Sequence, residues 1–269
     1  MLMKLIFITN DDGVQALGIR TLAHLMSRLG RVVVVAPDSA RSGAGCSITP
    51  TCPVELSAWH AFDGQDANDL LPQKGEYPIE YYTCSGTPVD CVKIASEQVL
   101  DVVPDLMVSG INHGDNASVS LHYSGTVGAV IEATLKRWPA IAYSLRSMEK
   151  LPDFSPYYDA ILKVASHVLS QGLPPYECLN VNFPVVDELK GIRVGRMARG
   201  EWSGEWADAH HPHGKRAFWL TGRFTNLEPE NQDTDYYALD KGYASVTPLH
   251  LDMTAYGSLD KLKGVLEEG

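Results

Sequence analysis

The stretch KLIFITNDDG, residues 4–13, decides the fold expected for this chain. Its four consecutive apolar residues, Leu5 to Ile8, are typical of a strand that is buried on both faces of a parallel sheet. Two adjacent carboxylates, Asp11 and Asp12, follow the strand and repel each other unless a partner neutralises them. Because neighbouring strand residues point to opposite faces, both reach one site only if the chain leaves extended geometry, which Gly13 favours.

The pattern around this strand predicts a three-layer, Rossmann-like, doubly wound α/β fold with a mainly parallel sheet. Apolar residues recur at helical spacing from Ile19 to Leu29, and a second apolar strand, residues 31–36, ends at Pro37. Strand, helix and strand together form one right-handed crossover unit. Similar alternation predicts further helices at 88–100, 124–137 and 157–169, and further strands at 105–109, 140–143 and 179–183.

Two stretches depart from this alternation. Between residues 47 and 82, proline, glycine and polar residues dominate, which predicts a β-hairpin-like excursion off the main sheet. From about residue 200 the chain carries Trp202, Trp206, a His-rich loop and short apolar pieces. We expect a single domain over residues 1–269, in which residues 200–269 form a C-terminal oligomerisation extension of hairpins and a final short helix.

Composition is that of a soluble globular protein and limits the possible partners. The chain has 269 residues, of which 45% are hydrophobic and 20% charged, with a net charge of −11. An acidic body repels a nucleic-acid duplex, although a small phosphate ester can bind at a local cation or helix terminus. The odd count of five cysteines, without a C-x-x-C pair, favours reduced thiols in a cytoplasm. No apolar run is long enough for a signal peptide or membrane span, so we expect no membrane partner.

Polar side chains follow three of the predicted strands. In an open α/β sheet the ligand crevice lies beyond the carboxyl ends of the parallel strands. The clusters at these ends are residues 10–13, 38–43 and 109–112, with Asn116 four residues further on. Their oxygen atoms suit Mg²⁺ or Mn²⁺, whereas no Cys/His set has the spacing of a zinc site. An Asp-Asp-Gly alone also fits a solvated turn, but the three clusters together favour a metal site.

A candidate phosphate site lies in the sequence YSGTVGA, residues 123–129, where a helix begins. Small residues let the free amides of the first helical turn approach an anion. Ser124 or Thr126 is equally interpretable as a simple N-cap. The similar stretch SGTP, residues 85–88, favours capping alone, because Pro88 lacks an amide donor.

A His-rich stretch and a pair of tryptophans in the tail each have a functional and a structural interpretation. The stretch HHPH, residues 210–213, contains a proline that prevents a helical i, i+4 pair of imidazoles, so a surface loop is favoured over a metal site. Trp202 and Trp206 lie four residues apart and indicate packing or a subunit contact rather than a platform for base stacking.

Together these motifs resemble the SurE family, the stationary-phase survival nucleotidases, along nearly the whole chain. The elements that carry the resemblance are residues 10–13, 36–38, 41–43, 109–112, 123–127, 180–184, 234–236 and 242–249. No element is specific alone, but their order and number are. The resemblance implies a metal-dependent phosphomonoesterase acting on nucleoside monophosphates, with a Rossmann-like core. It also implies a C-terminal extension exchanged between the subunits of a homodimer or homotetramer.

The resemblance further implies roles for individual residues. One divalent cation per subunit, Mg²⁺ or Mn²⁺, would be held by Asp11, Asp12, Ser42 and Asn112. The substrate and its phosphate would be bordered by Asn10, Gly43, Ser109, Gly110, Asn116, Ser124, Gly125 and Thr126. Asp11 or Asp12 would serve as the catalytic base or as a nucleophile, and the residues do not choose between these roles.

Two alternative functions remain open at the level of sequence. An aspartyl-phosphate phosphatase has strand-end carboxylates separated by one residue, whereas Asp11 and Asp12 are adjacent. A non-catalytic nucleotide-binding or signalling module would need the phosphate-facing groups but not a complete set of oxygen ligands.

The loop at residues 113–122 departs from the family's pattern. The family has a second asparagine- and glycine-rich run there, and this difference could alter substrate preference.

Overall fold

The computed structural model describes residues 3–60, 71–149, 151–210 and 213–267. Within these ranges the strands are β1 Leu5–Thr9, β2 Arg31–Pro37, β3 Leu56–Ala58, β4 Ile79–Cys84, β5 Leu106–His113, β6 Ala140–Leu145, β7 Glu177–Phe183, β8 Ile192–Val194, β9 Gly200–Ser203, β10 Trp206–Ala209, β11 Ala217–Leu220, β12 Arg223–Asn226 and β13 Ala244–His250. The helices are α1 Leu17–Met26, α2 Pro88–Gln98, α3 Gly125–Leu135, α4 Tyr158–Gln171, α5 Asp235–Asp240 and α6 Tyr256–Leu266. Short 3₁₀ helices span Ser118–Tyr123 and Ser155–Tyr157.

Nine strands form the central sheet in the order β3-β4-β2-β1-β5-β6-β7-β13-β8. The six strands from β4 to β7 in this order are parallel to one another, while β3 and β13 pair antiparallel with β4 and β7. The chain moves outward from β1 to β2 and β4, then crosses back to place β5 on the other side of β1. The strand order therefore reverses between β1 and β5, which is where open α/β sheets bind their ligands. The predicted α/β class, with a mainly parallel central sheet, is confirmed.

Strand β1 is buried on both faces, as its uninterrupted apolar run predicts. Ile6 and Ile8 pack in the core layer that contains α1 and α4, and Phe7 packs in the opposite layer beneath α2 and α3. The ring of Phe7 lies edge-on to Trp138, with centroids 6.0 Å apart. Packing on both sides fixes the strand, and hence fixes the position of the carboxylates that follow it.

One prediction about the sheet is wrong in part. The segment between residues 47 and 82 does contribute an antiparallel pair, β3 with β4, but this pair does not leave the main sheet. Strand β4 pairs in parallel with β2 over six residues, from Val32 to Pro37. Most of β4 is only half-buried because it lies next to the edge strand of the sheet. A half-buried strand alternates polar and apolar residues, and this alternation suggested a separate hairpin.

The C-terminal segment contributes β13 to the central sheet, and its other strands form two small separate sheets. Strands β10 and β11 form one two-stranded sheet, and β9 and β12 form another. Trp202 packs edge-on against Phe224, with ring centroids 5.7 Å apart, whereas Trp206 is 66% exposed. Of the His-rich stretch, residues 211 and 212 lie outside the described residues. None of the described helices is long and apolar enough to cross a membrane.

Candidate active site

A turn follows β1 and contains the two carboxylates. It is closed by hydrogen bonds between the side chain of Asn10 and the backbone of Gly13. Asn10 accepts a hydrogen bond from the Gly13 amide at 3.2 Å and donates one to the Gly13 carbonyl at 3.0 Å. Gly13 has φ +96°, a left-handed conformation that favours glycine. The chain therefore leaves extended geometry where the sequence predicts. Both polar groups of Asn10, which is fully buried, are engaged in this turn.

Asp11 is buried against the first turn of α3. Its Oδ1 accepts a hydrogen bond of 2.5 Å from the hydroxyl of Thr126, and only 4% of the residue is exposed. A Cβ atom on Gly125 would lie 2.9 Å from Cβ of Asp11, so glycine is needed for this close approach. Burial raises the pKa of Asp11 to about 6, the bond from Thr126 opposes that rise, and the charge of Asp12 adds to it.

Asp12 connects the end of β1 to the end of β5. Its Oδ2 accepts a hydrogen bond of 3.2 Å from the backbone N–H of His113. Burial raises the pKa of Asp12, and His113 partly offsets this rise. Within the described ranges, neither Asp12 nor Asp11 forms an ion pair with a lysine or arginine. Two adjacent, desolvated carboxylates thus share a site in which the described residues supply no lysine or arginine counter-charge.

Asn112 lies at the end of β5 and directly precedes His113, whose backbone N–H binds Asp12. Its Nδ2 donates a hydrogen bond of 2.8 Å to the carbonyl of Gly114, which leaves Oδ1 as an acceptor. The pairing of β5 with β6 shifts register between Ser109 and Asn112. Gly110 lies within this shift with φ +127°, and a Cβ there would lie 2.2 Å from the Tyr143 carbonyl oxygen. Ser109 is fully buried, and its hydroxyl has no hydrogen-bond partner among the described residues.

The loop that carries Ser42 and Gly43 lies against both β1 and α3. The backbone N–H of Arg41 donates to the carbonyl of Asp11 at 2.7 Å, and that of Gly45 donates to the carbonyl of Tyr123 at 3.1 Å. Ser42 and Gly43 are exposed, and the Ser42 hydroxyl makes no hydrogen bond with the described residues. The fold therefore brings this loop to the carboxylates through Arg41, and Ser42 follows directly in the chain.

The helix starts show capping. Ser124 accepts the backbone N–H of Val127 at 3.0 Å, as an N-cap does. Thr87 and Asp90 form a reciprocal capping box at the start of α2, which confirms the capping interpretation of that stretch. The Ser124 hydroxyl is thus engaged by its own helix.

Asn116 is held from three directions by buried polar residues. Its backbone N–H donates to Oδ1 of Asn182 at 2.8 Å, and its carbonyl accepts from Nδ2 of Asn180 at 2.9 Å. Its own Nδ2 donates to the hydroxyl of Ser144 at 2.8 Å. These bonds seat Asn116 over the carboxyl ends of β6 and β7, close to the end of β5 from which it follows.

Several residues of this arrangement carried no role in the sequence interpretation. Asn180 and Asn182 are two positions apart in β7 and alternate with apolar residues, a spacing that places both on one face and signals a polar site. Asp235, whose carboxylate accepts the backbone N–H of Ser118, also carried no role. In the described part of the chain, no three His, Cys, Asp or Glu side chains are placed to hold a metal ion. The predicted ligand set instead combines two carboxylates with a serine and an asparagine.

The fold and the site define an open α/β protein with an acidic, oxygen-rich cluster of side chains at its topological switch point. The chain belongs to the SurE family, because residues 6–204 match the family model for survival protein SurE. A protein from Bacteroides thetaiotaomicron named 5′-nucleotidase SurE is 46% identical over 264 residues, which cover 98% of this chain and 96% of that protein. A protein of the same name from Cytophaga hutchinsonii is 45% identical and covers 97% of this chain and 96% of its own.

A solved structure is also similar. The crystal structure of the SurE protein from Aquifex aeolicus superposes with a TM-score of 0.78 at 34% sequence identity. The match covers 97% of this chain and 99% of that chain, so it includes the C-terminal segment beyond residue 204. The resemblance that the motifs indicate is confirmed.

Proposed function

We propose that this protein is a metal-dependent 5′-nucleotidase that hydrolyses nucleoside monophosphates to nucleoside and phosphate. The observation that carries the proposal is the pair Asp11 and Asp12, two desolvated carboxylates with raised pKa at the switch point of the sheet. The names of the relatives, 5′-nucleotidase SurE, support the same reaction. The proposal includes activity on 3′-nucleotides, because the proposed ligands bind the phosphate group and not a particular position on the sugar.

The ligand set proposed for the cation is Asp11, Asp12, Ser42 and Asn112, with Mg²⁺ or Mn²⁺ as the metal. The chemistry of the donors supports it, because hard divalent cations prefer carboxylate, hydroxyl and amide oxygens. Oδ1 of Asp12 accepts no hydrogen bond from the described residues, and the exposed Ser42 hydroxyl and the Asn112 carbonyl are likewise available. When bound, a divalent cation supplies neutralisation of charge on the phosphate oxygens.

The protein's own groups would position the ester. The first turn of α3, Ser124 to Thr126, is proposed to direct backbone amides at the phosphate, as helix starts commonly do. Asn116 keeps a second N–H for donation to a phosphate oxygen, since Ser144 accepts only one. The backbone around the phosphate would be shaped by Asn10, Gly43, Ser109 and Gly110. Phosphoryl transfer depends mainly on positioning and charge stabilisation, so a site with few acid–base residues suits it.

Asp11 and Asp12 are also the candidates for the chemical step. Without metal, burial raises the pKa of Asp11 to about 6, and a bound cation would favour its ionised form, so Asp11 is a candidate to accept a proton from an attacking water. A carboxylate in this place can instead attack phosphorus directly. Mass analysis of acid-quenched reactions separates the two routes, because only the second leaves a phosphoaspartate on the protein.

The test is the release of inorganic phosphate from a panel of nucleoside 5′- and 3′-monophosphates. The purified protein is assayed with Mg²⁺, with Mn²⁺ and with EDTA, and the Asp12→Asn variant is the control for contaminating phosphatase. Turnover that requires the metal and is lost in Asp12→Asn supports the proposal. Tight nucleotide binding without phosphate release would favour a non-catalytic module, and a trapped phosphoaspartate would favour the aspartyl-phosphate route.

We also propose that the C-terminal extension, residues 200–269, joins subunits into a homodimer or homotetramer in the cytoplasm. The β10–β11 ribbon exposes large apolar side chains on both faces, with Trp206 and Leu220 on one and Trp219 on the other. A two-stranded ribbon gains little stability alone, so such side chains call for a partner surface. The five cysteines are all free, which supports a reducing compartment.

A further inference from the structure

The loop that carries Asn116 is held by residues distant in sequence. It leaves β5 at Gly114, which has φ +97°, and reaches Ser118, which has φ +51° although it is not glycine. A left-handed serine costs free energy and persists only where the surroundings hold it. The conformation that places Asn116 over β6 and β7 therefore depends on restraints at both ends of the loop.

The restraint at the far end is the carboxylate of Asp235, the first residue of α5. Its Oδ2 accepts the backbone N–H of Ser118 at 2.8 Å, and its Oδ1 accepts that of Ala198 at 2.9 Å. The hydroxyl of Ser118 donates to the carbonyl of Ala198 at 2.9 Å and closes the arrangement. Asp235 is 1% exposed and pairs with no lysine or arginine among the described residues, so backbone amides are what satisfy its charge.

Arg146 provides a second restraint, because it links the loop to the same helix, α5. Arg146 binds Asp115 through Nε at 2.6 Å and Asp240 through Nη1 at 2.7 Å. Its guanidinium also lies 4.4 Å from the ring centroid of Tyr236. Asp115 and Ser118 flank Asn116, and Asp235, Tyr236 and Asp240 all belong to α5. Both sides of Asn116 are thus tied to one short helix of the C-terminal segment.

We propose that Asp235 is a positioning residue for substrate binding, which holds Asn116 in place to contact the phosphate. The proposal rests on the proposed function and extends it to a residue that is not among the proposed metal or phosphate ligands. Residue 235 lies beyond the match to the family model, which ends at residue 204. The C-terminal segment is then part of the phosphate site and not only a surface for assembly.

The test compares Asp235→Asn with Asp233→Asn, the same change two residues earlier at an exposed position. Asparagine keeps the size of Asp235 but replaces one acceptor oxygen with a donor, so at least one of the three backbone amides bound to it loses its partner. We expect KM for a nucleoside 5′-monophosphate, and the inhibition constant of inorganic phosphate, to rise about tenfold to a hundredfold. Asp233→Asn should leave both constants unchanged, and kcat should change less than KM in Asp235→Asn.

A double-mutant cycle with Asn116→Ala separates positioning from general destabilisation. If Asp235 acts through Asn116, Asp235→Asn raises KM in the wild-type background but not in Asn116→Ala, whereas general destabilisation raises KM in both backgrounds. Additive effects on KM, or an unchanged KM in Asp235→Asn, would overturn the proposal. Should Asp235→Asn fail to fold, Arg146→Gln removes the second restraint and is expected to give the same pattern.

Failure of the proposed function is distinguishable from failure of this inference. If the wild-type protein releases no phosphate from any nucleotide, binding of inorganic phosphate measured by calorimetry replaces KM. Weaker binding in both Asp235→Asn and Arg146→Gln then supports the positioning role. Equal binding in these variants, or no binding to the wild type, contradicts it.

Discussion

Thr126 and Asp11 are joined by a hydrogen bond of 2.5 Å between the threonine hydroxyl and Oδ1 of the aspartate. The bond links the first turn of α3 to the end of β1, two elements 115 residues apart in sequence. It also provides Asp11 with a donor in a place where burial disfavours its charged form. The helix that is proposed to receive the phosphate is therefore fixed to the carboxylate that is proposed to hold the cation.

Replacing Thr126 with valine should weaken cation binding without loss of the fold. The change keeps the shape of the side chain but removes the donor that lowers the pKa of Asp11. We expect the metal concentration for half-maximal activity to rise about tenfold, as when a hydrogen bond to a charged group is lost. The acid side of the pH–activity profile should move to higher pH. Thr134→Val is the matched control, since that hydroxyl bonds within the same helix, to the carbonyl of Val130.

Substitution of Gly125 by alanine tests the close packing of α3 on Asp11. The new Cβ would lie 2.9 Å from Cβ and 3.1 Å from Oδ2 of Asp11, so the aspartate must move. We expect a loss of about 1–3 kcal/mol in the free energy of unfolding, together with weaker metal binding. Thermal unfolding and a metal titration measure these effects. Gly264→Ala meets no atom within 4 Å and should be neutral or slightly stabilising.

Much of this architecture is predictable because it is local. The uninterrupted apolar run of β1 predicts burial on both faces, and Asp11 to Gly13 predict the bend that ends it. The start of α2 at Thr87 and Pro88 follows from the chemistry of helix capping. Each of these features depends on neighbours within a few residues.

What could not be predicted from the sequence depends on residues that only the tertiary fold brings together. Asn116 bonds to Asn182, 66 residues away, and Ser118 to Asp235, 117 residues away. No periodicity or local spacing connects such pairs. The position of β4 is not predictable for a related reason, because alternation in a strand shows half-burial but not the sheet to which the strand belongs.

The Asp12→Asn substitution should abolish metal-dependent turnover. It removes one of the two charges on which cation binding depends but keeps the acceptor for the His113 amide. We expect phosphate release to fall to the level of a protein-free control at any metal concentration, with an unchanged circular dichroism spectrum. Asp187→Asn, at an exposed position, makes the same chemical change and should keep full activity. Wild-type activity in Asp12→Asn would refute the assigned ligand set.

In the absence of metal, Asp11 should make the protein less stable as pH rises. Its pKa is raised from 3.8 to about 6 in the folded state, so the folded protein binds more protons than the unfolded chain between these values. The free energy of unfolding should then fall by up to about 3 kcal/mol across this window and stay low above it. The measurement is urea unfolding in EDTA from pH 4 to 8, with Asp11→Asn as the comparison. The difference in the free energy of unfolding between wild type and variant should be largest above pH 6. Addition of Mg²⁺ or Mn²⁺ at pH 7.5 should stabilise the wild type but not Asp11→Asn.

Removing the two exposed tryptophans of the β10–β11 ribbon should reduce the assembly state. Trp206 and Trp219 are 66% and 70% exposed and project from opposite faces of the ribbon. Because they contribute little to the fold of one subunit, the double change to serine should leave the secondary structure intact. Light scattering coupled to gel filtration should show a smaller species than the wild type at equal concentration. Val103→Ser makes a similar apolar-to-polar change at a site that is also 70% exposed, and it should leave the mass unchanged. An unaltered mass in the double variant would assign the subunit contact to another surface, such as the exposed helix α6.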